Sequence, residues 1–201
     1  MPSGHWESVF RRVPMLGNSS VRQIAGNIAA LEDRHRPEYP ACMISLKPRP
    51  LTSDAFAPYG HVVAMPARPE RIYFGDLIEN RRPQAGLGLS FTRMAGAGLP
   101  FRLKLFERHE FSAQAFLPME ATRYLVTVCP DDGHGRPQPG LAEAFIAGPE
   151  QGVIYGAGCW HHPMTALSPE GRFTIVMWAN GDAADEELVP LEADMQVVAP
   201  D

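Results

Sequence analysis

Short runs of alternating apolar and polar residues, each ended by glycine or proline, are the feature that most constrains how this chain can fold. The 201 residues include 18 Gly and 20 Pro, which are spread along the whole length. Chain breakers at this density suit short strands and tight turns better than a helical bundle. The sequence lacks the regular alternation of strands with helices that would indicate a parallel sheet. We therefore predict a mainly β fold, an antiparallel β-barrel with a few short helices.

Three segments show the clearest strand patterns. Residues 87–94 (LGLSFTRM) alternate in polarity, and residues 123–129 (RYLVTVC) are rich in β-branched side chains. In residues 101–111 (FRLKLFERHEF), side chains two positions apart share a face, so Glu107 and His109 point in the same direction. We expect all three segments to contribute strands to the barrel.

Two other segments favour helical structure. Thr52 or Ser53 can cap a helical turn that continues to Phe56. Residues 140–148 (GLAEAFIAG) give the clearest helix pattern in the chain, with a glycine at the end and a proline directly after it. We therefore predict a helical turn in the first segment and an α-helix in the second.

Charge and composition limit the classes of partner. The net charge is -5 and the pI is about 5.8, whereas proteins that bind nucleic acids or anionic membranes usually present a basic surface. No apolar run approaches the roughly 18 residues that a membrane span requires, and the N-terminus lacks the apolar core of a secretory signal. We expect a cytoplasmic protein that acts on a small molecule, with no nucleic-acid or membrane partner.

The three cysteines, Cys42, Cys129 and Cys159, form neither a close pair nor a CxxC motif. An odd and scattered set argues against a disulfide framework and against a cysteine zinc site. We interpret all three as reduced thiols, which agrees with a cytoplasmic location.

The N-terminal part of the chain differs in charge from the rest. Residues 1–42 carry five Arg and four acidic residues, whereas residues 43–201 carry 13 basic and 19 acidic residues. Residues 20–34 could form a short amphipathic helix, but a disordered or loosely docked extension is favoured, and a mis-assigned translation start is a third alternative. We divide the chain into an N-terminal extension (1–42), a β domain (43–190) and a C-terminal tail (191–201).

Two segments combine residue types that can bind a metal or transfer protons. The first is Glu107-Arg108-His109, with Gln114 five residues beyond the histidine, and the second is Gly158-Cys159-Trp160-His161-His162-Pro163. Gln114 can return on the neighbouring strand, and the glycines before His161 let the backbone bend sharply into the barrel mouth. Two imidazoles, a carboxylate and an amide oxygen would suit a borderline divalent metal such as Ni, Mn, Fe or Zn.

The spacing of these segments resembles that of cupins, small β-barrels with two separated metal-ligand motifs. The first cupin motif contains His-x-His followed by Glu, and here Glu107-x-His109 is followed by Gln114 at the same spacing, with two altered ligand types. The second motif contains Gly-x-x-His, which Gly158-x-x-His161 reproduces. The resemblance implies a barrel of the double-stranded β-helix type with a metal site, or a purely organic site in its place.

Three longer stretches resemble the ureidoglycolate lyase family, namely residues 51–60 (LTSDAFAPYG), 106–119 (FERHEFSAQAFLPM) and 145–164 (FIAGPEQGVIYGAGCWHHPM). The resemblance implies elimination of urea from (S)-ureidoglycolate to give glyoxylate, in allantoin and purine-nitrogen catabolism. Such an enzyme is a carbon–nitrogen lyase of the amidine-lyase type, and nickel is the metal implied first. The resemblance also implies a homodimer, whose contact we expect at exposed strand edges near Phe106, Phe116 and Tyr124.

Each candidate site residue receives an expected role on this basis. The metal-binding set is Glu107, His109, Gln114 and His161. We expect Gln114 and Trp160 to contact the substrate. His162 or Glu107 would act as proton shuttle, a task that suits histidine because its ordinary pKa lies near neutrality.

One departure from the family pattern concerns the substrate carboxylate. Many family members end the strand after the double histidine with an Asp-Arg pair, whereas this chain has Met177-Trp178-Ala179-Asn180. Another cation or a metal must then bind the carboxylate. We predict Arg93, on the strand at 87–94, for this role. The alternatives are Arg81, Arg82 and Lys104.

Two other functions stay open at this point. A cupin-type relative could act on another small 2-hydroxy or 2-oxo acid, because the Asp-Arg pair is missing. The altered metal motif also allows a non-catalytic barrel that binds a small ligand.

Overall fold

The computed structural model describes residues 43–121, 123–167 and 169–200. Strands dominate these ranges, and the helical parts are one turn, α1 (Ser53–Phe56), and three 3₁₀ helices at Gly75–Leu77, Pro139–Leu141 and Ala183–Asp185. The predictions for residues 1–42 lie outside the described residues.

The strands, numbered in chain order, form two sheets. The first sheet runs in the order β1 (Ile44–Leu46), β13 (Glu187–Val197), β5 (Phe101–Arg108), β10 (Trp160–His161), β7 (Tyr124–Cys129), β8 (Glu143–Ala147) and β2 (Arg49–Pro50), and β11 (Thr165–Ala166) also pairs with β7. The second runs β3 (Gly60–Ala64), β9 (Gln151–Tyr155), β6 (Gln114–Glu120), β12 (Glu170–Ala179) and β4 (Gly86–Ala95). Neighbours are antiparallel except for the short parallel pairs β1–β13 and β2–β8.

The main core lies between the two sheets and contains side chains from both. Phe145 comes from the first sheet and Tyr155 from the second, and both pack edge-on around Phe56 of α1, with ring centroids 6.0 and 5.9 Å away. Tyr124 and Phe173 join the sheets in the same way at 5.1 Å. Two facing antiparallel sheets around one aromatic core confirm the predicted cupin-like β-barrel.

The sequence pattern of the central strand explains why it forms there. All six residues of β7 are buried, because β7 has hydrogen-bonded neighbours on both sides and packed faces above and below. β-branched residues suit such a position. The predicted helical turn is also confirmed: α1 starts after Thr52, whose Oγ1 accepts a hydrogen bond from the Ala55 amide at 3.3 Å.

The helix predicted at 140–148 is wrong. This stretch contains the end of a 3₁₀ turn, Pro139–Leu141, and then strand β8. Strand pairing with β7 on one side and β2 on the other buries Phe145 and Ala147 completely. Tertiary pairing therefore overrides the local helix preference of the alanines and leucine.

The expected dimer contact cannot involve Phe106, Phe116 and Tyr124, because all three side chains lie in the core. Among the described residues, the large exposed apolar side chains of the second sheet lie instead on β4 and β6. None of the described helices has the length and apolar character needed to cross a membrane.

Candidate active site

Four side chains from three strands and one turn meet inside the barrel. Glu107 near the end of β5 pairs with His161 of β10, and Gln114 begins β6 in the facing sheet. The Nε2 atom of His161 lies 3.1 Å from Glu107 Oε1 and 3.1 Å from Gln114 Oε1. His109 follows β5, and its ligand atom lies within 4.8 Å of those of Glu107 and His161. The structure thus brings together the four residues predicted to share a pocket.

The tautomer of His109 follows from its backbone partner. Its Nδ1 lies 2.7 Å from the carbonyl oxygen of Asp185. Because a carbonyl can only accept, Nδ1 carries the proton in the neutral ring and Nε2 presents a lone pair. That Nε2 is buried and has no hydrogen-bond partner within the described residues. An orphaned acceptor of this kind points to a missing donor or cation.

His161 shows the same pattern more sharply. Its Nδ1 lies 2.9 Å from the carbonyl oxygen of Cys159 and therefore donates to it. In the neutral ring Nε2 then faces two oxygens, from Glu107 and Gln114, that are also acceptors. Either a proton on Nε2 or a cation among these atoms removes the repulsion. Two imidazole nitrogens, a carboxylate and an amide oxygen fit a borderline divalent metal.

The turn before His161 holds the two histidine segments together. Gly158 has a φ of +83°, a left-handed conformation that glycine adopts without strain. Its amide donates to the carbonyl oxygen of His109 at 2.8 Å. Tyr155, which precedes this turn, stacks on the His161 ring at 4.0 Å with an angle of 10°. The glycine-rich turn therefore sets the position of both imidazoles.

Burial and nearby charges adjust the protonation of these groups. Burial opposes ionisation of Glu107, but the hydrogen bond with His161 and the neighbouring imidazoles outweigh it, and the pKa of Glu107 is lowered. Burial lowers the pKa of His109, which favours the neutral ring. Both groups are therefore held in forms that accept a proton or bind a cation.

His162 is next to the cluster but is not part of it. Its ring packs edge-on against Phe101 at 5.5 Å, and its Nδ1 donates to the carbonyl oxygen of Pro163 at 2.8 Å. Burial lowers the pKa of His162 to about 4. The ring is therefore neutral at neutral pH, and its role as a proton shuttle stays a prediction.

The structure does not bring Trp160 or Arg93 to the site. Trp160 precedes His161 on β10 and points to the opposite face, where its Nε1 donates to Asp131 at 3.3 Å and Arg108 stacks over its ring. Arg93 lies on β4 opposite Arg172, with 69% of its side chain exposed and an ion pair to Glu170. The prediction that Trp160 and Arg93 contact the substrate is therefore withdrawn.

The alternative cations occupy three different environments. Lys104 is exposed on the face of β5 opposite that of Glu107. Arg82 is largely buried and forms ion pairs with Asp182 and Asp185. Arg81 lies at the turns that carry the histidines. Its Nη1 atom is 3.3 Å from the carbonyl oxygen of Glu110, and a Cβ built at Gly158 would lie 3.8 Å from this Nη1 atom.

Glu186 is a site candidate that the sequence patterns missed. It follows the 3₁₀ turn Ala183–Asp185 and is half-buried. Burial, with repulsion from Glu107, raises the pKa of Glu186 from 4.5 to about 7, while His161 acts in the opposite direction. No local motif marks this position, because it approaches the pocket only through the pairing of β13 with β5.

Fold and site together define the class: a cupin-like β-barrel protein with a buried group of one carboxylate, one amide and two imidazoles that could bind a metal. The chain matches the family model described as ureidoglycolate lyase over residues 43–198. It is 36% identical over 143 residues to the ureidoglycolate lyase of Mesorhizobium japonicum, which covers 67% of this chain and 86% of that protein. It is 38% identical over 136 residues to that of Chelativorans sp., covering 63% and 81%. The chain belongs to the ureidoglycolate lyase family.

A similarity to a solved structure is far weaker. The TDP-quinovose 3,4-ketoisomerase WlaRB of Campylobacter jejuni is 16% identical, with a TM-score of 0.34 and coverage of 51% of this chain and 69% of that chain. A similarity this low carries no argument about the present protein.

Proposed function

We propose that this protein cleaves (S)-ureidoglycolate into glyoxylate and urea. The observation that carries the proposal is the convergence of Glu107, His109, Gln114 and His161 in a barrel that belongs to the ureidoglycolate lyase family. We assign the reaction to the carbon–nitrogen lyases of the amidine-lyase type and place it in the breakdown of allantoin and purine nitrogen.

The substrate chemistry states what such a site must supply. Ureidoglycolate is a carbinolamine, in which one carbon carries a hydroxyl, a carboxylate and a urea nitrogen. The hydroxyl loses its proton, its oxygen becomes the carbonyl of glyoxylate, and the carbon–nitrogen bond breaks as the urea nitrogen takes up a proton. The reaction therefore needs a base, an acid and a cation for the carboxylate.

The four convergent side chains are the residues that would hold a divalent metal. Their acceptor atoms face one another without enough donors among the described residues, as shown for His109 Nε2 and for His161 Nε2 between two oxygens. A bound metal would polarise the substrate hydroxyl and lower its pKa. We propose nickel, on the family resemblance, with manganese, iron and zinc as the other metals that this ligand set suits.

Glu107 is the base in this proposal. Its carboxylate is buried, stays ionised because its pKa is lowered, and lies 3.1 Å from His161 Nε2. Glu186 is the candidate for the acid that protonates urea, because its pKa is raised to about 7 and it retains a proton near neutral pH. His162 is neutral at that pH because its pKa is about 4, so it would serve instead as a relay that takes up a proton at one ring nitrogen and releases one from the other. Glu186→Gln should therefore remove the alkaline limb of the kcat profile, whereas His162→Ala should lower kcat and keep that limb.

Arg81 is our candidate for the cation at the substrate carboxylate. Its guanidinium lies between the turn after His109 and the glycine turn before His161, and Glu79 holds it by an ion pair of 2.8 Å. Replacement of Arg81 by alanine should raise KM for ureidoglycolate more than it lowers kcat. The same replacement at Arg93, which lies on the outer face of β4, should leave both constants unchanged.

A coupled assay of urea and glyoxylate tests the proposed function. The protein is stripped of metal, reconstituted with each of the four metals, and assayed with ureidoglycolate and with a panel of 2-hydroxy and 2-oxo acids. Equal release of urea and glyoxylate supports the proposal. Turnover of another acid alone would assign the protein to a different reaction of this barrel class, and ligand-induced thermal stabilisation without turnover would indicate a binding protein.

We also propose that the protein is a homodimer through the outer face of β4. Five large apolar side chains on β4 and the neighbouring β6 are between 37% and 69% exposed. They are Leu87, Leu89, Phe91, Leu117 and Met119. In the described part of the chain β4 ends its sheet with an unpaired edge, and an edge of this kind can pair with a second copy. Phe91→Glu should yield a monomer by light scattering, whereas Met65→Glu should not. A Phe91→Glu dimer would contradict this interface.

The location we propose is the cytoplasm. The two cysteines that the structure describes, Cys129 and Cys159, are both free thiols, which suits a reducing compartment. Immunoblotting of fractionated cells tests this proposal, and enrichment in an extracellular or membrane fraction would contradict it.

A further inference from the structure

The side chain of Arg82 is largely buried and forms a network that does not touch the four convergent side chains directly. Its guanidinium donates to Asp182 Oδ1 at 3.3 Å and to Asp185 Oδ1, and it stacks over the Phe111 ring at 5.0 Å. The side chains of Arg82 and Asp185 are only 11% and 14% exposed. A buried, doubly paired and stacked arginine is not a typical surface charge.

The carboxylate of Asp185 organises the turn that follows β12. It accepts hydrogen bonds from the amides of Asn180 at 2.9 Å and Gly181 at 2.6 Å, and Asp182 caps the next turn by accepting from the Ala184 amide at 2.9 Å. Arg82 binds the side chains of both acids. The guanidinium therefore joins the two ends of this turn and fixes where the Asp185 carbonyl points.

That carbonyl is the partner of His109. The distance of 2.7 Å from His109 Nδ1 to Asp185 O sets the proton on Nδ1 and directs the Nε2 lone pair into the pocket. Phe111, the second contact of Arg82, lies two residues after His109 in the same turn. Arg82 thus constrains His109 in two ways: it positions the Asp185 carbonyl that accepts from the ring, and it stacks on Phe111 in the same turn as His109.

We propose that Arg82 is a positioning residue that acts through Asp185 and Phe111 to fix the ring orientation and tautomer of His109. Only a planar guanidinium can bind both carboxylates and stack on the ring at once, so lysine replaces it in part. Groups that orient a histidine ligand typically change metal affinity by about 10–100-fold when they are removed. This positioning role rests on the proposed function for its metal site and its activity measurement, but the tautomer of His109 in the metal-free protein is independent of both.

The test compares the metal-free full-length protein with Arg82→Ala, Arg82→Lys, Asp185→Asn and the control Arg172→Ala, which removes an exposed arginine paired with Glu120 and Glu170. Nitrogen NMR of the imidazoles reports the tautomer of His109, and competition with a chelator reports the affinity for Ni²⁺. We expect Arg82→Ala and Asp185→Asn to populate the Nε2–H tautomer and to bind Ni²⁺ about 10–100-fold more weakly. Arg82→Lys should recover part of the loss, and the control should match the native protein.

The outcomes separate this proposal from the proposed function. A folded Arg82→Ala protein that keeps the Nδ1–H tautomer and native Ni²⁺ affinity would overturn the positioning role, whatever the activity. If Arg82→Ala does not fold, Arg82→Lys and Asp185→Asn decide by the same two measurements. If the variants show the altered tautomer and affinity and the native protein releases no urea, the positioning role is supported and the lyase reaction is rejected.

Discussion

His161 and Glu107 occupy paired positions on adjacent strands, and their Nε2 and Oε1 atoms lie 3.1 Å apart in a region almost closed to solvent. The side chains are 1% and 8% exposed. Because Nδ1 of His161 already donates to the Cys159 carbonyl, the contact requires either a second proton on the ring or a cation beside it. Both states depend on the negative charge of Glu107.

Replacement of that charge should stop the reaction while the barrel stays folded. Glu107→Gln keeps the size of the side chain but removes the base and weakens the cation site. We expect kcat to fall by about 10²–10⁴-fold, the usual contribution of a positioned base, with an unchanged circular dichroism spectrum. Glu110→Gln, at an exposed position three residues along the chain, is the matched control. Near-native urea release from Glu107→Gln would remove Glu107 from the mechanism.

Glu186 should make stability depend on pH. Its folded-state pKa is raised to about 7 from 4.5, so the protonated form is favoured by folding. The associated stability is fully present below pH 4.5 and is lost as the pH rises through about 7. Glu186→Gln cannot ionise, so its stability relative to the native protein should increase over this window, by at most about 3 kcal/mol.

Urea denaturation of metal-free protein at pH 5, 6, 7 and 8 measures this difference. Glu107 and His161 are the charged neighbours that contribute to the shift, and they are unchanged in the variant. The exposed Glu150, replaced by glutamine, serves as the control. A difference between Glu186→Gln and the native protein that is the same at all four pH values would contradict the raised pKa.

Two buried tyrosines should respond in opposite ways to loss of their hydroxyl groups. The hydroxyl of Tyr155 is buried without a partner among the described residues, whereas that of Tyr124 donates to the carbonyl oxygen of Gln151. Tyr155→Phe should therefore leave stability unchanged or raise it by about 1–3 kcal/mol, because an unsatisfied polar group is removed. Tyr124→Phe should lower it by about 0.5–1.5 kcal/mol. Equal destabilisation of both variants in urea would show that Tyr155 has a partner.

Much of the site could be predicted because it follows local rules. The spacing of two residues put Glu107 and His109 on one face, and the segments around Gln114 and His161 matched motif spacings. The same alternation places Trp160 opposite His161, so its exclusion from the pocket was available in the sequence. Alternation misplaced Arg93, because Arg93 shares a face of β4 with Leu87 and Phe91, and this apolar face is exposed rather than buried.

The remaining errors have long-range causes. The stretch at 140–148 has helix-forming residues, but pairing between β7 and β2 makes it a strand. Glu186 and Arg82 reach the site from segments about 80 and 30 residues away from His109 in sequence, through the pairing of β13 and the ion pairs of Asp185. No local pattern encodes such approaches.

Titration of metal-free protein with Ni²⁺, for the native chain and for His109→Ala and His161→Ala, tests the common pocket most directly. If Glu107, His109, Gln114 and His161 hold one cation, the native protein binds one Ni²⁺ per chain, and each variant loses most of that affinity and its urea release together. The result that would contradict the shared centre is native Ni²⁺ binding and native turnover in both folded variants.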